Sequence, residues 1–94
     1  MKYDVTIGIP VFHAIEYLKI SLKSALNQSY NSIEFLIVDD GSLDGSVDIV
    51  KQLIRSHPQG EHIHLIAHVS NMGVSYSRNE IIDKAVLYFI IAFS

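Results

Sequence analysis

The chain has no cysteine, which excludes disulfides, thiolate chemistry and zinc–cysteine sites. It has no excess of basic charge: seven Lys and Arg stand against ten Asp and Glu, and a formal net charge of −3 offers no electrostatic footprint for nucleic acid. It also lacks a long hydrophobic run. The strongly apolar stretch AVLYFIIAF at 85–93 falls far short of the ~20 residues a membrane-spanning helix needs. No export signal is visible, because the apolar residues after Met1-Lys2-Tyr3-Asp4 break at Pro10. Repeats, low-complexity tracts and linkers are absent as well. What remains is 94 residues, 49% hydrophobic and 18% charged, which suits one globular domain with a modest core.

Strand-like and helix-like stretches alternate along this chain. VTIGI at 5–9 reads as a β-strand stopped by Pro10. Over 15–27, Ile15, Leu18, Leu22 and Ala25 or Leu26 recur at close to helical spacing, and NQSYNS closes that helix. IEFLIV at 33–38 is nearly continuously apolar, as expected of a strand covered on both faces. Asp44 is placed to cap a helix over about 46–56, with Val47, Val50 and Ile54 inward, ended by Pro58 and Gly60. HIHLIAH at 62–68 is a third strand. Asn71-Met72-Gly73 opens a third helix through about Lys84 or Ala85, and a fourth strand spans roughly 87–93. The order βαβαβαβ predicts a mostly parallel sheet of about four strands with helices on both faces, Rossmann-like in its winding. Ligands of such sheets sit beyond the carboxyl ends of the strands.

Asp39 and Asp40 stand at such an end, in FLIVDDGSLDGS at 35–46. Adjacent carboxylates repel, so their pairing calls for a reason. They can accept hydrogen bonds from a ligand's N–H or O–H groups, bind a metal, or belong to a loop that caps the next helix. Gly41 permits positive φ and Ser42 can hold the turn. Several familiar sites are excluded. No GxGxxG follows the first strand, and no GxxxxGK[ST] is present. A phospho-receiver domain carries its acidic pair after strand one and its phosphoacceptor at the end of strand three. Here those positions read Pro-Val-Phe-His and lead into Ser70-Asn71.

The even spacing of His62, His64 and His68 puts all three on one face of a regular strand, where zinc could bind. No carboxylate or cysteine completes that set, and an edge strand with one wetter face has the same pattern. His13, near the crevice, reads by default as a solvated loop residue. Arg78, in the first turns of the third helix, either reaches back to a phosphate or base carbonyl or stands on the surface.

Four segments together carry a resemblance: VTIGIPVF at 5–12, SLKSALNQSY at 21–30, IVDDGSLDGS at 37–46 and NMGVSYSRN at 71–79. In that order and spacing they resemble the amino-terminal half of glycosyltransferase family 2, inverting enzymes of the GT-A fold. The resemblance covers essentially the whole chain, and IVDDGSLDGS is its most specific piece. It implies a half-domain over 1–94 that binds the nucleotide of a sugar-nucleotide donor, most often a uridine diphosphate sugar. Pro10, Val11 and Phe12 would lie against the base, with Phe12 at the usual Tyr position. Asp40 would accept the base N3–H, Asp39 would support the loop with Gly41 and Ser42, and Arg78 would face the base or diphosphate.

The departures carry equal weight. The family's next motif, Asp-x-Asp, holds a divalent metal (Mn or Mg) and is expected at about position 94, where this chain has Ser94. The metal ligands and the catalytic base are therefore expected only in a full-length parent, and this chain is expected to bind no metal and to be inactive alone. His13 replaces a family Asn, Ile15 a frequent Glu, and Ile81 and Leu87 replace glycines. Those last two leave open whether 86–93 is strand or a continuation of the third helix. The other expectation is an interaction module that forms a homodimer through the apolar residues 87–93. The family and the missing export signal point to the cytoplasm, with membrane association open to a full-length parent through other segments.

Overall fold

The computed structural model describes residues 5–27, 33–84 and 88–90. Strand β1 (Val5–Val11) leads into a helical segment made of α1 (Ile15–Tyr17), a π-helical turn (Leu18–Leu22) and α2 (Lys23–Asn27). Then come β2 (Ile33–Asp39), α3 (Ser46–Ser56), a 3-10 turn (Gly60–His62) and β3 (Ile63–Ala67). Helix α4 (Val74–Lys84) and β4 (Tyr88–Ile90) complete the described chain. The four strands lie in the order β3-β2-β1-β4, and every described pairing is parallel. The α/β architecture expected from the alternation is the one observed.

Successive side chains of a strand point to opposite faces, and β2 shows this plainly. Phe35 and Ile37 pack with Leu18, Leu22, Leu26 and Val50 from the first helical segment and α3. Leu36 and Val38 pack with Ile81 of α4 on the other face. Helices therefore cover both faces, which is why β2 reads as continuously apolar.

Three local departures from expectation have physical causes. Pro10 does not end β1, because the strand runs on to Val11 with Pro10 opposite Val38. The missing N–H is harmless there, since the described pairs with β4 reach only Gly8. In the first helical segment the buried positions are Leu18, Leu22 and Leu26, while Ala25 is exposed. A spacing of four drifts by about 40° per step around an ordinary α-helix. The wider π-helical turn over Leu18–Leu22 offsets that drift and keeps the three leucines in line. In α3, Val50 and Ile54 pack as expected, but Ile49 and Leu53 join them and Val47 stays half-buried outside that cluster.

Asp44 is one residue removed from the cap it was expected to provide. Gly45 occupies the N-cap position, while the Asp44 carboxylate accepts the Ser46 N–H at 3.1 Å and the Ile15 N–H at 3.3 Å. One side chain thus ties the start of α3 to the start of α1. Burial alone would raise its carboxyl, but the Ser46 hydroxyl and the Ser46 and Ile15 amides outweigh burial and hold it below its ordinary value.

The expected one-face histidine row does not form. His62 lies in the 3-10 turn and is buried, His64 is exposed on β3, and His68 follows the strand and bridges Asp40 and Glu80. Among the described residues no group of three or more His, Asp or Glu side chains could hold a metal ion. No described helix is long and apolar enough to cross a membrane. The strand at 88–90 agrees with a fourth strand rather than a longer third helix. Residues 28–32, 85–87 and 91–94 lie outside the described residues, and with them the loop closing the first helix and most of the expected self-association segment.

Candidate functional site

The carboxyl ends of β1, β2 and β3 converge on one edge. Their tails are joined by backbone hydrogen bonds, from Asp40 N–H to the Val11 carbonyl at 2.8 Å and from His68 N–H to the Asp39 carbonyl at 2.8 Å. Side chains then lock the loops that follow. The Asp39 carboxylate (Oδ2) accepts the Ser42 N–H at 2.9 Å, closing the turn as an Asx motif. The Ser42 hydroxyl accepts the His13 N–H at 2.8 Å and so links the β2 tail to the β1 tail. His13 holds φ of 53°, a left-handed conformation in which Asn and His are enriched. His is therefore tolerated at this position.

Asp40 is the hub. It is 5% exposed. Its Oδ1 accepts the Met72 N–H at 2.6 Å and meets His68 Nδ1 at 2.8 Å, and its Oδ2 accepts the Gly73 N–H at 2.9 Å. The expected ligand reader is therefore also a structural post for the 68–73 loop. Burial by itself would raise this carboxyl, but the Met72 amide, the His68 ring and the Gly73 amide outweigh it and hold Asp40 below its ordinary value. A carboxylate offers about four lone-pair sites, and three are used here. Among the described residues nothing takes the fourth, on Oδ2.

Gly41 lets the two loops touch. A Cβ there would lie 2.8 Å from the Asn71 backbone N and 2.8 Å from the Ser70 carbonyl carbon, and the residue sits at φ of 78°. Both the close approach and the left-handed backbone require glycine. Asp39 carries the one oxygen of this pair with nothing bound: Oδ1 is buried and has no hydrogen-bond partner among the described residues.

The remaining expected residues separate into two groups. Pro10 and Val11 are buried strand residues that shape the floor of this edge. Phe12 is 37% exposed and stacks on the His13 ring, with centroids 4.0 Å apart and planes at 24°. Arg78 is exposed on α4 and lies outside the hydrogen-bonded cluster. Sequence reasoning missed His68 and Glu80. The His68 ring spans Asp40 through Nδ1 and Glu80 through Nε2, with Tyr76 edge-on at 5.3 Å. A positional signal existed: His68 follows β3 by one residue as Asp40 follows β2, so both belong to the same edge. Tyr76 and Glu80, four apart, share one face of α4.

Comparison with known proteins gives the family and the fold. A sequence profile described as "Glycosyl transferase family 2" matches residues 6–93. The chain is 36% identical over 81 residues to an uncharacterized glycosyltransferase of Haemophilus influenzae, covering 86% of this chain and 31% of that protein. It is 32% identical over 90 residues to a cholesterol galactosyltransferase of Borreliella burgdorferi, covering 96% of this chain and 24% of that one. The chain thus spans about a third or less of the length of these curated relatives. Two solved structures share the fold. The mannosyltransferase PcManGT of Pyrobaculum calidifontis, in complex with GDP-Man and Mn2+, superposes with a TM-score of 0.82 at 20% identity, over 98% of this chain and 28% of that one. S. aureus TarS in complex with UDP gives 0.79 at 19% identity, over 95% of this chain and 27% of that one.

Proposed function

The chain belongs to glycosyl transferase family 2, and from that premise we propose that it is the nucleotide-binding part of an inverting glycosyltransferase that takes a uridine diphosphate sugar. The observation that carries this reading is Asp40: a buried, fixed and ionised carboxylate at the carboxyl edge of a parallel sheet, with one acceptor site left on Oδ2. Such a group selects a base that presents a ring N–H. Uracil offers one at N3 and guanine at N1, whereas cytosine N3 and adenine N1 are acceptors that a carboxylate repels. Phe12, partly exposed beside this edge, supplies an aromatic face for the base. Asp39, Gly41 and Ser42 set the loop that holds Asp40, with Pro10 and Val11 beneath. Arg78 on α4 provides the cation for the base or the diphosphate. That PcManGT is complexed with GDP-Man and TarS with UDP supports the class of ligand.

The described residues do not fit the divalent metal that the family implies, since no group of three or more His, Asp or Glu side chains among them could hold a metal ion. The chemistry assigned to them is binding and orienting the nucleotide. Metal-assisted departure of the diphosphate and deprotonation of the acceptor belong to a full-length parent, and transfer by this chain alone is not expected. Titration with UDP, GDP and CDP, followed by amide chemical shifts, tests the reading. UDP is expected to shift the signals of Phe12, the 40–42 turn and Arg78 saturably, with CDP at least about tenfold weaker, the factor for one lost charge-assisted hydrogen bond. Equal affinity for UDP and CDP would remove Asp40 as the base reader. No binding by a folded chain would remove the nucleotide-binding role altogether.

A further inference from the structure

Resting on that nucleotide-binding reading, we infer that His68 is a positioning residue: bridging Asp40 and Glu80 as an imidazolium, it clamps the 68–73 loop beneath the base pocket, and loss of its proton weakens nucleotide binding. The geometry leaves the ring little choice. Nδ1 is within hydrogen-bond distance of one carboxylate and Nε2 of another. A neutral imidazole has a single N–H, so it can donate to only one of them. Its other nitrogen then turns a lone pair toward a carboxylate oxygen, and that contact becomes repulsive. With both carboxylates ionised, the protonated ring is the form that satisfies both ends.

The His68 side chain is 9% exposed, so water does not readily replace the lost bond. Among the described residues, the ionisable groups facing it are Asp40 from the end of β2 and Glu80 and Tyr76 from α4. Burial would lower the His68 proton affinity, but the bonds to Asp40 and Glu80 outweigh burial and raise it above the ordinary value.

The bridge matters for binding because of what else Asp40 holds. The Met72 and Gly73 amides share its oxygens with His68. Deprotonation of the ring removes either the bond that aims Oδ1 or the bond that anchors the loop to α4. In both cases the one acceptor site left on Oδ2 loses its fixed direction. Arg78 is carried on α4 together with Glu80, so the same bridge sets the spacing between the base reader and that cation.

The test combines two readings on the 94-residue chain, from about pH 6 to about pH 9, which brackets upward displacement from the ordinary histidine value of about 6.5. The His68 ring is followed by nuclear magnetic resonance, and the UDP dissociation constant is measured across the same range. The wild-type constant is expected to rise about tenfold as His68 deprotonates. In Glu80→Gln the ring should titrate at lower pH, and the rise in dissociation constant should move down with it. In His68→Gln the rise should be absent. The diphosphate's own titration near pH 6 is common to all three proteins, so the differences between them carry the signal. Should His68→Gln fail to fold, Glu80→Gln still decides. UDP binding that stays flat while His68 titrates, or a midpoint that ignores Glu80→Gln, would overturn the positioning role and leave the nucleotide pocket standing. Absence of UDP and GDP binding at every pH would overturn the pocket, and the role with it.

Discussion

Among the described residues, nine buried ones interlock on one face of the sheet, drawn from β1, β2, β3, the first helical segment and α3. On the other, the buried apolar contact under α4 brings together, among the described residues, Leu36, Val38 and Ile81, with Ile66 alongside. Polar ties make up much of that second face and its edge. The Thr6 hydroxyl donates to Glu34 at 2.6 Å, His64 lies 3.4 Å from the same carboxylate, and Asp40 and His68 join the 68–73 loop to α4. Apolar packing is non-directional and roughly proportional to buried area, so the first face sets whether the chain folds. Hydrogen bonds to charged groups demand fixed geometry, so the second face sets where Asp40 and α4 stand. Substitutions on the two faces should therefore separate stability from binding.

The largest effect belongs to the thick face. Phe35→Ala removes the largest fully buried side chain among the described residues and should cost about 3–5 kcal/mol, a large part of the roughly 5–15 kcal/mol that a domain possesses. Urea unfolding should show the loss, with nucleotide binding disappearing only as the folded fraction does. A loss below about 1 kcal/mol would mean that the packing ascribed to β2 does not hold the fold.

A smaller and more local effect is expected on the thin face. A Cβ on Gly8 would lie 2.3 Å from Ile81 Cγ2, so Gly8→Ala forces α4 outward and should cost about 1–3 kcal/mol. The same shift moves Glu80, adjacent to Ile81, and UDP affinity should fall more than stability alone explains. Adding Ile81→Ala gives the new methyl room, so the double variant should lose less than the sum of the two single losses. A double-mutant cycle measures this directly, and strict additivity would show that Gly8 and Ile81 do not share the contact.

The pair also shows what was legible in the sequence. The resemblance implies a glycine near position 81, and Ile81 there leaves the last helix–strand boundary open in the sequence; in the fold, Ile81 occupies the space over Gly8. The strand and helix alternation, the start of α3 and the convergence of the strand tails could be read because they depend on local periodicity. The double role of Asp40 could not. Its partners are Met72 and Gly73 backbone amides and a histidine 28 residues away, and backbone donors leave no mark on side-chain identity. The histidine row misled for a related reason: period-two reasoning holds only inside a strand, and His62 lies before β3 and His68 after it.

The smallest effect concerns pH, and its sign differs at the two ends of the scale. Asp40 and Asp44 are held below their ordinary values, so their contribution to stability is present above about pH 4 and is lost as pH falls through the folded values. His68 is held above its ordinary value, so its contribution is complete below about pH 6.5 and is lost as pH rises through the folded value. The thermal midpoint should be highest between about pH 4 and about pH 6.5 and decline on both sides. His68→Gln should flatten the alkaline decline, weaken the Asp40 part of the acid one and leave the Asp44 part, because Asp44 takes its hydrogen bonds from Ser46 and Ile15 and not from the ring. An alkaline decline that survives the substitution would assign it to another group and detach α4 from the His68 bridge. Apolar contact, with Leu36, Val38 and Ile81 as its described part, would then hold the thin face without help from the site.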